Sequence, residues 1–370
     1  MRGKSARSRR RRTARRLWPV LGLSVVGVGV AVAVAANRRR RLDRHEIPEA
    51  PPAGADWESP HEPARAAAPD DTPAVWIAGP GGNLYVRDIE AKGTTGAMGA
   101  MGAMGTRGAG AARGAGGAEG AGGAERGEGA GPTPVVFVHA LAGNGGQWAL
   151  QLDHLRGLRR AVAVDLRGHG DSDPADDGDY GVDALAGDVA AVADQLALRR
   201  FVLVGHSLGG LVAIRYAGLH PGRVAGLLLA DPNGDQSQVP AAEMAPLLAA
   251  VAANPLAEIE GYFRQLVVGG DREVSSWVLD DLRQTHEEAL AAAVAAAARY
   301  SPRPDLARYG GPTLSVVSDM NSLPYSLHKL IPGLPVELMT GTGHWLMMDR
   351  PRVFNRILDD FLDRVDAGGG

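Results

Sequence analysis

The chain has 370 residues, no cysteine and a formal net charge of −3 at neutral pH. That length holds one large domain or two ordinary ones, and the absence of cysteine excludes a disulfide framework, a thiol nucleophile and a thiolate metal site. The near-neutral total hides a split: residues 1–45 carry fourteen basic and one acidic side chain, a net of +13, so the remainder carries −16. A basic head on an acidic body argues that the head meets an anionic surface and the body does not. Lys4, Lys92 and Lys329 are the three lysines and every other basic residue is arginine. That skew reads as base composition, not as a nucleic-acid-binding signature, and no nucleic-acid partner is expected.

Met1 to Arg16 is a basic run with no apolar face, followed by Leu17 to Ala36, twenty residues without a charge. As a helix this stretch spans about 30 Å, the thickness of a bilayer core. Arg38 to Arg41 closes it. The arginine cluster directly behind the apolar run favours an uncleaved membrane anchor, with the side of the membrane left open. The alternative is export after signal cleavage near Ala33-Val34-Ala35. Residues 1–45 are thus a basic tail with a candidate transmembrane helix. Residues 46–73, rich in Pro, Ala and acid, are a linker. Residues 74–370 form the folded domain.

Ala74 to Ile77 and Leu84 to Val86, around Gly79-Pro80-Gly81-Gly82-Asn83, signal a hairpin. Residues 92–131 are low-complexity Gly/Ala with three Gly-Ala-Met units from Gly96, and read as a disordered surface insertion. No strand feeds this stretch and no Gly-Lys-Ser/Thr ends it, so it is not a phosphate loop. Strands follow at Pro134–His139, Ala161–Val164, Phe201–Val204, Val224–Ala230, Thr313–Val317 and Val336–Met339. Helices are expected at Gln147–Leu158, at Val182–Leu198, from Leu208 through the apolar-periodic run Leu211–Leu219, and at Phe354–Val365. Pro240 to Tyr300 is alanine-rich and helical, so residues 233–311 read as a helical lid over the strand ends. The alternation argues a mostly parallel sheet covered on both faces.

Gly205-His206-Ser207-Leu208-Gly209 lies between a strand and a helix, the context of a nucleophile elbow. The turn brings the two backbones close, so its flanks must be small, and the helix N-terminus aims free N–H groups at the serine. An alcohol needs a base within reach. His344, on the loop Gly341-Thr342-Gly343-His344 after the last strand, is the candidate.

These segments resemble the α/β-hydrolase fold family from about Ala74 to Val365. Four motifs carry the resemblance, in order: Phe137-Val138-His139-Ala140 with Gly143, Asp165-Leu166-Arg167-Gly168-His169-Gly170 with Ser172, the elbow Gly205 to Gly209, and Gly341 to His344 with Pro351 beyond. The resemblance implies an α/β-hydrolase fold, with a mostly parallel sheet of the eight-stranded type, helices on both faces and a helical lid. It implies Ser207 as nucleophile, His344 as base, and the backbone N–H groups of Leu141 and Leu208 as the oxyanion hole. His139, His169 and His206 take structural roles. The family's usual acid position falls on Asn321, which can orient an imidazole but not stabilise its charged form. Some members carry the acid at the end of the sixth strand, where Asp231 sits. Asp231 is the expected acid and Asp319 the alternative. Ala140 stands where the family usually has glycine, and if that position needs φ > 0, alanine strains it.

A serine nucleophile separates this sequence from the haloalkane dehalogenases and epoxide hydrolases of the same fold, which use an aspartate. The resemblance then implies acyl transfer to water from a carboxylic ester, lactone or thioester, with no cofactor and no metal. The small oxyanion motif is also similar to that of cofactor-free perhydrolases. Tyr262, Phe263, Leu266, Trp277 and Tyr300, with Trp148, Trp345 and Met347, are candidate pocket residues. Two other classes stay open: a catalytically silent small-molecule-binding module, and a scaffold acting through its basic head and Gly/Ala loop.

Overall fold

The computed structural model of the chain describes residues 72–90 and 131–368. The candidate transmembrane helix at 17–36, the basic tail, nearly all of the linker and of the Gly/Ala stretch lie outside the described residues. Among the described residues no helix is long and apolar enough to cross a membrane.

An eight-stranded sheet forms the centre, in the order β1-β2-β4-β3-β5-β6-β7-β8. Its strands are β1 (Ala74–Gly79), β2 (Gly82–Ile89), β3 (Val135–Val138), β4 (Ala161–Val164), β5 (Phe201–His206), β6 (Val224–Ala230), β7 (Thr313–Ser318) and β8 (Val336–Met339). The β1–β2 hairpin is antiparallel and joins β4 antiparallel, while every pairing from β4 through β8 is parallel. The helices are α1 (Ala149–Leu155), α2 (Val182–Gln195), α3 (Leu208–Leu219), α4 (Ala241–Ala253), α5 (Pro255–Leu266), α6 (Arg272–Gln284), α7 (Glu287–Arg299), α8 (Arg303–Tyr309), α9 (Leu327–Leu330), α10 (Leu346–Asp349) and α11 (Pro351–Gly368).

Side chains alternate across a strand, so a strand buried on both faces must be apolar at every position. β3, β4, β5 and β6 are buried throughout. Their residues sort by parity into two cores. Val135, Phe137, Ala161, Ala163, Val202 and Val204 pack with α1 and α11 on one face. Val136, Val138, Val162, Val164, Phe201 and Leu203 pack with α2 and α3 on the other. The hairpin and β8 are the sheet edges, and there Trp76 and Leu338 stay exposed.

Differences from the sequence reading are local. The helix expected from Gln147 opens as a 3₁₀ turn at Gly145–Trp148, where Asn144 caps the Gly146 N–H. It ends at Leu155, two residues before Gly157 turns left-handed with φ 76°. The last helix starts earlier than expected, at Pro351, because proline fits the first helical turn, where its missing N–H costs nothing. Four helices, α4 to α7, lie between β6 and β7 in the region read as the lid. The next one, α8, belongs against the sheet-packing helix α3: Arg215 of α3 pairs with Asp305 of α8.

The sheet order reverses around β3. The chain runs from β3 to β4 on one side and then crosses to β5 on the other. Loops leaving β3 and β5 therefore diverge, and a crevice opens at the C-terminal strand ends.

Candidate active site

Ser207 follows β5 directly, at φ 52° and ψ −113°. A side chain in that region is strained, and here the surroundings enforce it. The Ser207 N–H continues the sheet ladder to the Ala230 carbonyl at 3.1 Å, while the next residue already begins α3. A Cβ on Gly205 would collide with the Gly209 backbone, and one on Gly209 would collide with the carbonyls of Val138 and His139. Strand, turn and helix fit only because both positions are glycine.

Asp231 extends β6 by one residue, its N–H bonded to the Val316 carbonyl at 2.7 Å. It takes φ 40°, a second left-handed non-glycine residue at the strand ends. Its carboxylate is buried. Oδ1 accepts the Ser318 N–H at 2.9 Å and Oδ2 accepts the Ser318 hydroxyl at 2.8 Å. Oδ2 also meets His344 Nδ1 at 2.7 Å. Burial alone pushes this carboxyl up, but the His344 contact and the two Ser318 hydrogen bonds outweigh it and hold it below the usual carboxylate range. An ionised Asp231 only accepts, so His344 Nδ1 carries the proton and Nε2 is left as the basic nitrogen.

His344 is held from three sides. Its N–H donates to the Leu266 carbonyl of α5 at 2.9 Å. Its own carbonyl bonds His206 Nε2 at 3.0 Å, and the two imidazole rings lie 4.7 Å apart. Burial, then the neighbouring His344, keeps His206 neutral by pushing it well below the ordinary histidine range. The Gly343 N–H donates to Asp349 at 2.8 Å, and the same carboxylate takes the Asp271 N–H at the start of α6.

The structure brings Ser207, Asp231 and His344 to one cavity of about 380 Å³, with Leu141 and Leu208 in its wall. Neither the Leu141 nor the Leu208 N–H meets an acceptor among the described residues. Ala140 is not left-handed; the positive φ falls on Ala142, at 56°. Asp319 stands apart: it is exposed, and its carboxylate takes the Gly341 N–H at 3.3 Å. Asn321 bonds the Pro232 carbonyl. Ser207 Oγ donates to Asn233 Oδ1 at 3.1 Å. Asn233 and Ser318 escaped the sequence reading. Asn233 passes for a turn residue, and Ser318 lies 87 positions from the aspartate it serves.

His139 and His169 are structural. His139 Nε2 accepts the Leu166 N–H at 2.9 Å and its Nδ1 meets the Ala140 carbonyl, joining the loops after β3 and β4. Burial lowers it to about 4, and His169 to about 3. Of the candidate pocket residues, Tyr262, Phe263, Leu266 and Trp345 line the cavity. Trp148 stacks instead on Phe137 and Phe354 in the core, and Met347 is buried there too. Tyr300 donates to Asp305, and Trp277 packs against the core on α6. Apolar side chains next to a motif or at helical spacing serve core packing as readily as a pocket, and Trp148, Met347 and Trp277 do so. Among the described residues no group of three or more His, Asp or Glu side chains converges as a metal site.

A model of the alpha/beta hydrolase fold family matches residues 133–351. The dihydrolipoyllysine-residue acetyltransferase components of acetoin cleaving systems are similar in two bacteria. That of Pseudomonas putida is 43% identical over 102 residues, 27% of this chain, and that of Cupriavidus necator is 30% identical over 247 residues, 64% of this chain. The chain spans 27% and 65% of those two proteins. An sn-1-specific diacylglycerol lipase of Mus musculus is 28% identical over 256 residues, covering 62% of this chain and 80% of the lipase. Among solved structures, an esterase from Exiguobacterium antarcticum superposes with a TM-score of 0.60 at 19% identity, over 79% of this chain and 100% of that one. That likeness is one of fold.

Proposed function

We propose that this chain, which belongs to the α/β-hydrolase fold family and is a hydrolase, cleaves a carboxylic ester or a related acyl substrate such as a lactone or thioester. Ser207, His344 and Asp231 form its triad. The observation that carries this reading is the 2.7 Å contact between His344 Nδ1 and a buried, ionised Asp231, beside a serine on a strained elbow at the cavity wall. Ser207 turns from Asn233 to His344 Nε2 and attacks the acyl carbonyl as the imidazole takes its proton. The Leu141 and Leu208 N–H groups receive the oxyanion, helped by the positive end of α3. His344 returns the proton to the leaving oxygen or sulfur. Water then enters by the same base, and the acyl-enzyme is hydrolysed.

The test is active-site labelling. The full chain is treated with a fluorophosphonate and its intact mass is read, with Ser207→Ala alongside. One adduct on the parent and none on the variant supports the reading. No adduct on a folded parent favours the second reading, a silent small-molecule-binding module, which the Ser207–Asn233 hydrogen bond motivates because it leaves the serine off its base. From the sequence alone we also infer that residues 17–36 hold the chain at a membrane. Release of the full chain from membranes by alkaline carbonate would refute that.

A further inference from the structure

The cavity beside Ser207 is lined mainly by aliphatic and aromatic side chains, yet two of its residues are phenols whose hydroxyls have no hydrogen-bond partner within the protein. They are Tyr262 on α5 and Tyr325 in the loop after β7. Tyr180, Tyr300 and Tyr309 each spend their hydroxyl on a protein group. Tyr216, whose hydroxyl is buried and unpartnered, sits in the core and not in the cavity wall. Neither the Tyr262 nor the Tyr325 hydroxyl is among the fully buried unpartnered atoms, so in the free protein water in the cavity satisfies each, and a substrate oxygen can take that water's place.

Both residues line the same cavity as Ser207 and His344, on segments whose backbones also hold the reacting groups. Tyr262 lies one helical turn before Leu266, whose carbonyl holds the His344 N–H. Tyr325 is bound through its backbone to the loop that follows Asp231, its carbonyl accepting the Asp235 N–H at 2.9 Å. The two are neighbours electrostatically: after burial, Tyr325 and then Asp231 are what push the Tyr262 phenol up. Among the described residues lining the cavity none is Lys or Arg, and Asp231 and Glu243 are carboxylates. An anionic group is repelled there. What the phenol protons fit is an uncharged acceptor.

We propose that Tyr262 and Tyr325 form an oxygen-recognising subsite, so that the preferred acyl group carries a second, uncharged oxygen, a keto or ether function, beyond the scissile carbonyl. The proposal rests on the serine-hydrolase reading above. A plain hydrocarbon chain of the same shape leaves both hydroxyls unmatched and binds less well.

The experiment compares 4-nitrophenyl 4-oxopentanoate with its isostere 4-nitrophenyl 4-methylpentanoate, each rate normalised to that ester's own hydroxide-catalysed hydrolysis. One neutral hydrogen bond gives the full chain a preference of about five- to tenfold in kcat/KM for the oxo ester, seen in KM. The variant Tyr262→Phe with Tyr325→Phe brings the ratio to about one. A ratio near one in the parent, or one retained in the double variant, overturns the proposal. If the double variant does not fold, Tyr325→Phe alone must at least halve the ratio. If neither ester is turned over, the hydrolase reading has failed by itself. Calorimetric titration with methyl 4-oxopentanoate and methyl 4-methylpentanoate then reads the subsite directly: tighter binding of the oxo compound supports it, and equal binding overturns it.

Discussion

Replacing Asp231 with asparagine changes one atom and disables the base. Oδ1 receives the Ser318 N–H at 2.9 Å, and a backbone N–H can only donate, so the amide oxygen of the asparagine must take that place. The amide nitrogen then stands where Oδ2 was, facing the Ser318 hydroxyl and His344 Nδ1. The hydroxyl can rotate and accept. The imidazole cannot leave two donors facing each other, so its proton moves to Nε2, the nitrogen that Ser207 needs bare. A triad locked in the wrong tautomer loses about 10⁴-fold in kcat, or about 5.5 kcal/mol at 1.36 kcal/mol per tenfold. The assay is kcat for 4-nitrophenyl butyrate, with the thermal transition of the variant as the check on folding. Asp319→Asn serves as the control and stays within about twofold of the parent, because Asp319 is exposed and meets a single backbone N–H. A folded Asp231→Asn retaining more than a tenth of parent kcat, or a large loss in Asp319→Asn, would refute the reasoning.

Gly209→Ala should prevent folding outright, since its Cβ would strike two backbone carbonyls that no rotamer change can move; a soluble variant with a parent-like circular dichroism spectrum would contradict this. A pH effect follows from Asp281 and Asp349, whose carboxyls burial pushes up to about 6 while the hydrogen bonds from Gln147 and from the Asp271 and Gly343 N–H groups pull the other way. Both bind protons more tightly folded than unfolded, so the stability they contribute is full below about pH 4 and is lost as pH rises through about 6. The buried neutral histidines His139, His169 and His206 act in the opposite sense, losing stability as pH falls below their unfolded value. The test is therefore a difference: Asp281→Asn with Asp349→Asn should gain in melting temperature on the parent as pH goes from 5 to 7.5, and parallel pH profiles would refute the assignment.

The sheet strands, the elbow and the histidine loop were legible because each is a local matter. A strand covered on both faces must be apolar at every position, as Val135 to Val138 and Phe201 to Val204 are. A strand that turns sharply into a helix must have glycines where Gly205 and Gly209 stand. Such constraints act between residues a few positions apart, so the order of the residues alone carries them. Which carboxylate meets His344 is a different kind of fact. Asp231 and Asp319 end neighbouring strands and both sit beside turn residues; only the resemblance favoured Asp231, and composition and periodicity left Asp319 as an alternative. Asp231 reaches the imidazole because β6, β7 and β8 lie side by side in the sheet and Ser318 turns its carboxylate toward the loop after β8. The partnership of Ser207 with Asn233, and the division of the aromatic residues between core and cavity wall, were likewise decided in three dimensions. Contacts across tens of residues are set by how strands order and loops travel, which periodicity along the chain does not encode.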